Sequence, residues 1–481
     1  MKLFLLFIIA LPLCAATYYV QKTGSSDANG CTVGSPCLTI TRGVAVATAA
    51  GDIVQVAAGT YAERVTLTAS GSAGNPITVR GHSGSCPTSA NSDPLSRGYR
   101  PAPTVTMQGF VVTASYITLE CFAVSGSATP AFDIGQGQTT ISITDNVADA
   151  TAAPGSPTMG IYFPPVALAS MPSNVTFSRN YVVGTIYGGS VYCKTGCVFD
   201  SNELTGMKAV ADGNDSDYWR FFGENITFNA NYMHGNSLSD CIGDCHIDCF
   251  QTWNVANDGY ELARNITISN NSCRNADQGV ISRDIANGTG VGTISTHTGY
   301  DIVNNTFSDG PLGTNLVSPS GRGMSFCGVF GHTGDVIFAN NVCVVGTAVY
   351  NDSAVGTHKN NIHVDGGWKP YDAEVSGSVY GTITTANNLL YEGGRTYSGW
   401  TDDVLNQSPA FVDLANRNFR LTLGSPAIGA GANLSALGIT ALNSDKNGVA
   451  RGSTWAIGAY QYAAPPPPTT LRGTVRGATI K

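Results

Sequence analysis

The sequence predicts an all-β solenoid, in which the chain winds into stacked rungs of short strands. A phrase of alternating apolar and polar residues that ends in asparagine recurs, as in NVTFSRN (174–180), NITFNAN (225–231) and NITISNN (265–271). Alternation with a period of two is typical of a strand with one buried face, and self-similarity is typical of stacked units. Glycine is abundant, with 57 residues among 481, and apolar residues at helical spacing are almost absent.

The asparagines that end this phrase indicate the length of a rung. Successive members are 34, 22, 29, 40, 34, 36, 20 and 27 residues apart, and the shortest spacings fit one solenoid turn, so longer ones predict inserted loops. Asparagine tolerates a left-handed backbone, and its amide can hydrogen-bond to the same residue one rung away. The members are Asn146, Asn180, Asn202, Asn231, Asn271, Asn305, Asn341, Asn361 and Asn388.

The composition excludes several classes of protein. Charged residues make up 12% of the chain and apolar residues 42%, which argues against disorder and against a coiled coil. The formal net charge is −8, and no basic cluster could neutralise phosphates in series. We therefore expect no nucleic acid as a partner.

The N-terminal residues 1–16 indicate a secretory signal. Lys2 precedes an apolar run, Leu3–Cys14, and Ala15 and Ala16 then offer small residues for cleavage. No later stretch reaches the roughly 18 apolar residues of a membrane helix. We expect a monomer that is secreted, extracellular or periplasmic, and that does not bind membranes.

The cysteines favour disulfides in such an oxidising compartment. Twelve remain after removal of Cys14, and an even number is typical of a disulfide framework. Close pairs predict local staples, and more distant pairs predict links between neighbouring turns: Cys31/Cys37, Cys193/Cys197, Cys241/Cys245, Cys249/Cys273 and Cys327/Cys343. The alternative is a zinc site formed by Cys241, Cys245, His246 and Cys249.

Both ends of the solenoid resemble a known family. The segments YYVQKTGSSDANGC, SPCLTITRGVAVATAAGDIVQVAAGTYAE and GNPITVRG lie within residues 18–81, and FVDLANRNFRLTLGSPAIGAGAN and DKNGVARGSTWAIGAYQY lie within 411–462. They resemble secreted right-handed parallel β-helix proteins of the pectate-lyase-like superfamily. The resemblance implies one such domain over 17–462, with a cap and first rungs in 17–81, a short capping helix near Ile40–Ala50 and a closing region in 411–462. The proline-rich residues 463–481 predict an extended tail.

A second group of predicted strands indicates the position of the functional site. It comprises GIYF (160–163), SVYCK (190–194), MKAVAD (207–212), HIDCFQTW (246–253) and GVISRD (279–284). If Ile161, Val191, Ala209, Cys249 and Val280 point inward, alternation turns their neighbours outward onto one surface. The residues predicted on that surface are Tyr162, Tyr192, Lys208, His246, Asp248 and Arg283.

Long insertions between 207 and 284 predict a cleft for an extended polysaccharide. Aromatic faces can carry sugar rings, so the predicted substrate-binding residues are Tyr162, Tyr192, Trp219, Gln251, Trp253 and Asp284. The resemblance favours β-elimination from a uronic acid polymer, although it assigns no role to any single residue. The candidate catalytic residues come from the predicted surface and are Lys208, His246, Asp248 and Arg283. A calcium ion held by acidic loops is the expected cofactor, with ligands Asp212, Asp215, Asp217 and Asp244.

Three alternatives remain open at this stage. Hydrolysis of a glycosidic bond requires two carboxyl groups, which Asp244, Asp248 and Asp284 could supply. A C5-epimerase would use much the same groups as a lyase. A solenoid that binds glycans without cleaving them would need neither the 40-residue rung nor the charges beside it.

Overall fold

The computed structural model describes residues 15–93, 95–209, 215–237, 240, 246–254, 260–284, 296–308, 326–344, 348–364, 367–369, 382–391 and 403–462. These residues form a right-handed parallel β-helix, which confirms the predicted fold class and the resemblance at the level of the fold. Each rung contributes strands to three faces. Every strand pair on these faces is parallel, and each strand lies next to its counterpart one rung away.

The first face carries the candidate functional site. Its strands are Arg64–Leu67, Gly109–Val112, Phe132–Ile134, Met159–Tyr162, Tyr187–Cys193, the first part of Trp219–Asn229, Asp248–Asn254, Gln278–Asp284, the first parts of Phe326–Ala339 and Ala348–Lys359, and Gly367–Lys369.

The second face is continuous with the first because Trp219–Asn229, Phe326–Ala339 and Ala348–Lys359 run from one face onto the other. Its other strands are Thr17–Val20, Ile53–Val56, Ile77–Arg80, Ile117–Glu120, Thr139–Thr144, Ser173–Ser178, Cys197–Asp200, Ala263–Ser269, His297–Val303 and Thr382–Ala386.

The third face consists of short strands that follow the asparagine turns. They are Gly59–Thr60, Val105–Met107, Ala123–Val124, Val147–Asp149, Tyr181–Val183, Glu203–Thr205, Tyr232–His234, Ser272–Arg274, Thr306–Ser308, Val342–Val344, Ile362–Val364, Leu389–Tyr391 and Val404–Leu405.

The remaining elements cap or flank the solenoid. The predicted capping helix spans Ile40–Val46, and the side chain of Thr39 caps it by accepting a hydrogen bond from the Arg42 amide. Two antiparallel hairpins and three short 3-10 helices complete the described structure: Thr88–Ala90 with Tyr99–Pro101, Phe411–Asp413 with Asn418–Leu421, Leu168–Ser170, Ser435–Leu437 and Thr440–Asn443.

The predicted asparagines form an unbroken hydrogen-bonded ladder between the second and third faces. At each step the backbone amide of one asparagine donates to the Oδ1 atom of the next, as from Asn202 to Asn231 at 3.1 Å and from Asn231 to Asn271 at 2.8 Å. The Nδ2 atom of Asn231 also donates to the backbone carbonyl oxygen of Phe199. The ladder therefore satisfies buried backbone groups at every turn.

One of the two reasons given for asparagine at these turns is wrong. The left-handed residue is the one before each ladder asparagine, for example Arg179 (φ 56°), Ser201 (φ 55°) and Ala230 (φ 52°). The ladder asparagines are selected by their amide groups, because those groups are buried and bonded on both sides.

The described residues contain five disulfides, two of which join cysteines only six and four residues apart. The predicted pairs Cys31–Cys37, Cys193–Cys197, Cys249–Cys273 and Cys327–Cys343 are present, and Cys86–Cys121 is an additional one. The zinc alternative is wrong because Cys249 is bonded to Cys273; Cys241 and Cys245 lie outside the described residues. Among the residues described, no helix has the length and apolar character needed to cross a membrane.

The ladder predicts a large loss of stability when a central member is removed. Asn231→Ala leaves the amide of Asn202 and the carbonyl of Phe199 buried without their side-chain partner, and it also breaks the bond to Asn271. We expect the free energy of unfolding to fall by about 3 kcal/mol or more, measured by chemical denaturation. The control is Asn75, which is exposed and does not have a left-handed backbone. An equal loss in Asn75→Ala would contradict a special role for the ladder.

Candidate active site

Strand register places a row of outward-facing side chains across the first face. Tyr162 lies opposite Ser190, Ser190 opposite Arg220, Arg220 opposite Gln251, and Gln251 opposite Ile281. Neighbouring strands are about 4.8 Å apart, so the row runs along the solenoid axis. A second outward position, two residues further along the strands, pairs Trp253 with Arg283.

These two rows line a cavity of about 350 Å³. Its walls are formed by Asp215, Arg220, Gln251, Thr252, Trp253, Ile281 and Arg283. Four of these residues, Asp215, Gln251, Trp253 and Arg283, were predicted from the sequence as site residues. The cavity therefore combines an aromatic ring, an amide, one carboxylate and two guanidinium groups, a composition suited to binding a polar ligand.

Arg220 is clamped at the base of the cavity by two acidic residues. Its Nε atom donates to Oδ2 of Asp217 at 2.5 Å, and Oδ2 of Asp215 lies 3.8 Å from its terminal nitrogen. The guanidinium also lies 4.3 Å from the centre of the Tyr187 ring and 5.2 Å from that of Trp253. Burial is the largest single influence on the pKa of Arg220 and acts to lower it, but the charges of Asp217, Tyr187 and Asp215 and the hydrogen bond to Asp217 together raise the pKa. Arg220 is thus a fixed, internally neutralised cation.

Asp215 also orients His246. Oδ1 of Asp215 accepts a hydrogen bond from the backbone amide of His246 at 3.0 Å and lies 3.5 Å from its Nδ1 atom. The interaction with Asp215 raises the pKa of the imidazole. Burial acts to raise the pKa of Asp215, but the hydrogen bonds from His246 outweigh it and lower that pKa. The His246 side chain is 48% exposed, so the ring is accessible to a ligand.

Two adjacent carboxyl groups lie beneath the cavity. Asp217 and Asp248 are fully buried, and the backbone amide of Asp248 donates to Oδ1 of Asp217 at 3.1 Å. Burial, reinforced by their mutual repulsion, raises the pKa of Asp248 far above its ordinary value. Burial also raises the pKa of Asp217, although Arg220 opposes this. Gln251 donates to Oδ2 of Asp248 at 3.1 Å, so the buried carboxyl supports a residue of the cavity wall.

The prediction that Asp248 faces outward is wrong by one position in the strand. Phe250 lies in register with the core residues Trp219 and Val280, so Gln251 and Trp253 are the outward residues of this strand. A shift of one residue exchanges the two faces of a strand. Asp248 therefore supports the cavity from beneath, through Gln251 and through Asp217, which holds Arg220.

Trp219 cannot bind a sugar ring because it lies in the core. It is fully buried against Phe199 and Phe228, with ring centres 5.0 and 5.4 Å away. Gly189 on the adjacent strand makes room for the indole, since a Cβ atom there would lie 2.6 Å from it. The prediction for Trp219 is therefore wrong.

Tyr192 occupies an outward position but is covered. It stacks on Phe222 at 4.4 Å and is only 8% exposed, so little of its ring is available to a ligand. Tyr162 is half-buried in the outward row, two strands from Arg220.

Lys208 does not line the cavity. Its Nζ atom lies 3.5 Å from Oδ1 of Asp240, a buried carboxylate on the following rung. Asp284 ends a strand of the first face, and its side chain lies outside the described part of the structure. Asp212 and Asp244 lie outside the described residues.

The predicted calcium ligands that are described do not fit a calcium ion. Both oxygens of Asp217 are engaged, one by Arg220 and the other by a backbone amide, and Asp215 contacts Arg220 and His246. Calcium requires six to eight oxygen ligands. Here the Arg220 guanidinium occupies the position between the two carboxylates that a metal ion would need. Within the described ranges, no group of three or more His, Cys, Asp or Glu side chains is arranged to hold a metal.

Two functional candidates escaped the sequence reasoning. Arg220 lies in the apolar phrase YWRFFGEN directly after DSD, and a lone charge in such a strand is the signal that could have found it. Asp277 accepts a hydrogen bond from the Ile247 amide at 3.0 Å, and burial raises its pKa to about 6. The charges of Asp217 and Asp215 also act to raise the pKa of Asp277.

Comparison with known proteins yields only distant structural similarity. No family model matches the chain, and no curated protein matches its sequence. Similar solved structures include pectate lyase Pel9A (15% identity, TM-score 0.38, covering 93% of this chain and 96% of that one). The A-module of mannuronan C-5 epimerase AlgE6 from Azotobacter vinelandii is 10% identical, with a TM-score of 0.43 and coverage of 74% and 91%. The lacto-N-biosidase from Eubacterium ramulus is 11% identical, with a TM-score of 0.42 and coverage of 78% and 68%. At this distance the similarities do not discriminate among reactions.

The clamp on Arg220 predicts that the two arginines of the cavity differ in their contribution to stability. Arg220→Met leaves Asp217 buried without its counter-charge, so we expect the free energy of unfolding to fall by about 3–5 kcal/mol. Arg283→Met changes an exposed side chain and should leave stability within about 0.5 kcal/mol of the parent. Chemical denaturation of both variants measures this, and equal losses would contradict the clamp.

Proposed function

We propose that this protein is a secreted enzyme that cleaves an acidic polysaccharide by β-elimination at the cavity between residues 215 and 283. The observation that carries the proposal is Arg283. Its exposed guanidinium lines the cavity, lies in register with Trp253 and forms no ion pair with another described side chain. An unneutralised cation beside an aromatic ring is suited to a sugar that bears a carboxylate. The disulfides support an oxidising compartment.

Arg283 would neutralise the carboxylate of a uronic acid unit. Removal of the C5 proton places negative charge on that carboxylate in an enolate-like intermediate, and a nearby guanidinium stabilises the charge as it develops. Trp253 would support the sugar ring, and its Nε1 atom is held by Glu261 at 3.0 Å. Arg220 contributes less to the net charge of the cavity because Asp215 and Asp217 already neutralise its guanidinium.

We assign removal of the C5 proton to His246, an exposed histidine that contacts the cavity residue Asp215. Asp215 contacts Nδ1, which leaves Nε2 as the free basic nitrogen of the neutral ring. The proton moves from C5 to Nε2, the electron pair forms the C4–C5 double bond, and the C4–O bond breaks. The leaving oxygen then takes a proton from the imidazolium or from water. Asp215 acts through His246 and is a positioning residue.

The alternatives receive less support from the geometry. Hydrolysis would need two carboxyl groups at the scissile bond. Among the described residues Asp215 is the one carboxylate in the lining of the cavity, whereas Asp217 and Asp248 are fully buried. An epimerase would share the first step and return a proton to the other face of C5. Such an enzyme would exchange C5 hydrogen with deuterated water without producing an unsaturated sugar.

The first test follows the ultraviolet absorbance of unsaturated uronides released from polygalacturonate, alginate and glucuronan. We expect activity on at least one polymer, and a decrease of about 100-fold or more in kcat for His246→Gln and for Arg283→Met. Arg420→Met, an exposed arginine of the closing region, is the matched control and should retain activity. Full activity in either site variant would overturn its assignment, and inactivity of the parent on all three polymers would overturn the lyase proposal.

The contact with Asp215 predicts a specific pH profile. The base must be neutral, so kcat/KM should rise with pH through the pKa of His246, which Asp215 holds above its ordinary value of 6.5. Asp215→Asn removes the carboxylate, so the inflection should move to lower pH. An unchanged inflection in this variant would show that another group accepts the proton.

A further inference from the structure

We propose that the N-terminal end of the solenoid holds a second carbohydrate-binding site, formed around Tyr19, Gln21 and His82, that takes a neutral sugar unit. The site is a cavity of about 500 Å³, larger than the candidate active-site cavity. It lies on the second face, and the proposal does not depend on the proposed lyase activity. Its support comes from the walls, the polar groups and the charge of this cavity.

Two disulfide-bonded loops form the walls of the cavity. The loop closed by Cys31–Cys37 contributes Val33 and Pro36, and its backbone is bonded to the first strand through Tyr19. The opposite wall is residues 81–87, which Cys86–Cys121 fixes to the neighbouring rung. A cavity with covalently fixed walls exists before its ligand arrives, which lowers the entropy cost of binding.

Side chains of this cavity offer hydrogen bonds that the protein leaves unused. The Tyr19 hydroxyl and Oε1 of Gln21 form no hydrogen bond with another described residue, although Nε2 of Gln21 donates to the Thr23 carbonyl oxygen at 2.7 Å. His82 is held by Glu120, whose Oε1 atom lies 3.4 Å from Nε2. The other ring nitrogen, Nδ1, is buried and has no partner among the described residues. The unused groups of Tyr19 and Gln21 are therefore available to a ligand or to bound water, whereas the buried Nδ1 atom of His82 is not exposed to the cavity.

The described lining of this cavity contains no Asp, Glu, Lys or Arg residue, whereas two arginines and an aspartate line the other cavity. Glu120 faces His82, and the Arg80 Nε atom donates to Oε1 of Gln55 at 2.9 Å. The second hydrogen bond of Gln55 joins its Nε2 to the His82 carbonyl oxygen. Val33 is 75% exposed at the rim and adds an apolar contact. An aromatic ring, an amide and an imidazole without a dominant charge match an uncharged, polyhydroxylated ring.

The position of the second site suits a role in holding a polymer. Five strand spacings on the second face separate Ile77–Arg80 from Trp219–Asn229, which corresponds to about 24 Å along the axis. Two sites on one rigid solenoid can hold one polymer or two neighbouring chains, and linked binding raises the effective affinity. Binding of a neutral glycan at this site would hold the protein on a matrix that contains both neutral and acidic polysaccharides.

The test is calorimetric titration of the full chain with hexasaccharides of β-1,4-linked xylose, glucose, mannose and galactose. We expect at least one hexasaccharide to bind, and Tyr19→Ala and Gln21→Ala each to weaken binding about tenfold. Gln21 has an exposed side chain, so its variant should fold even if Tyr19→Ala does not. Tyr391→Ala, which removes an exposed tyrosine far along the chain, is the matched control and should bind like the parent.

The two cavities are distinguished by testing a variant of each one for the function assigned to the other. Arg283→Met should leave binding of the neutral hexasaccharide unchanged, and Gln21→Ala should leave cleavage of a short polyuronate unchanged. The proposal is overturned if none of the four hexasaccharides binds. It is also overturned if Gln21→Ala and a folded Tyr19→Ala both bind like the parent, or if Arg283→Met abolishes binding.

Discussion

The amide ladder from Asn146 to Asn388 is the interaction on which the rest of the structure depends. Each step joins the backbone of one rung to the side chain of the next, in a buried position where water cannot substitute for the missing partner. The ladder therefore fixes how each rung lies on the previous one. Loops of different length can be inserted between its members without changing that register, as the spacing of 40 residues between Asn231 and Asn271 shows.

The candidate active site is a consequence of this fixed register. Arg220, Gln251 and Ile281 come from three successive rungs yet lie in one row, because the strands that carry them are held in step. The same stacking brings Asp217 and Asp248 together beneath the cavity, where burial raises the pKa of Asp248 and where Arg220 compensates Asp217. The result is a cavity with one neutralised arginine and one arginine that pairs with no carboxylate among the described residues, and this difference favours an anionic sugar beside Arg283.

Repetition made the fold predictable from the sequence, whereas the details of the site depended on single residues. The ladder members were identified because every rung repeats the same phrase. The direction of Asp248 was wrong because alternation was extended from Cys249, whereas the strand register follows Phe250, which lies opposite Trp219 and Val280. Cys249 is also buried, in its disulfide with Cys273. The burial of Trp219 depends on the absence of a side chain at Gly189, a contact between rungs that no local pattern records. Arg220 escaped notice because its partners, Asp215 and Asp217, were interpreted as metal ligands.

The most direct test of the central claim is a crystal structure of the His246→Gln variant with a hexauronate bound. The account predicts a sugar ring against Trp253 and its carboxylate paired with the Arg283 guanidinium at about 2.7–2.9 Å, with C5 facing position 246. A hexauronate bound away from the cavity, or one whose carboxylates all point to solvent while Arg283 remains unpaired, would contradict the account.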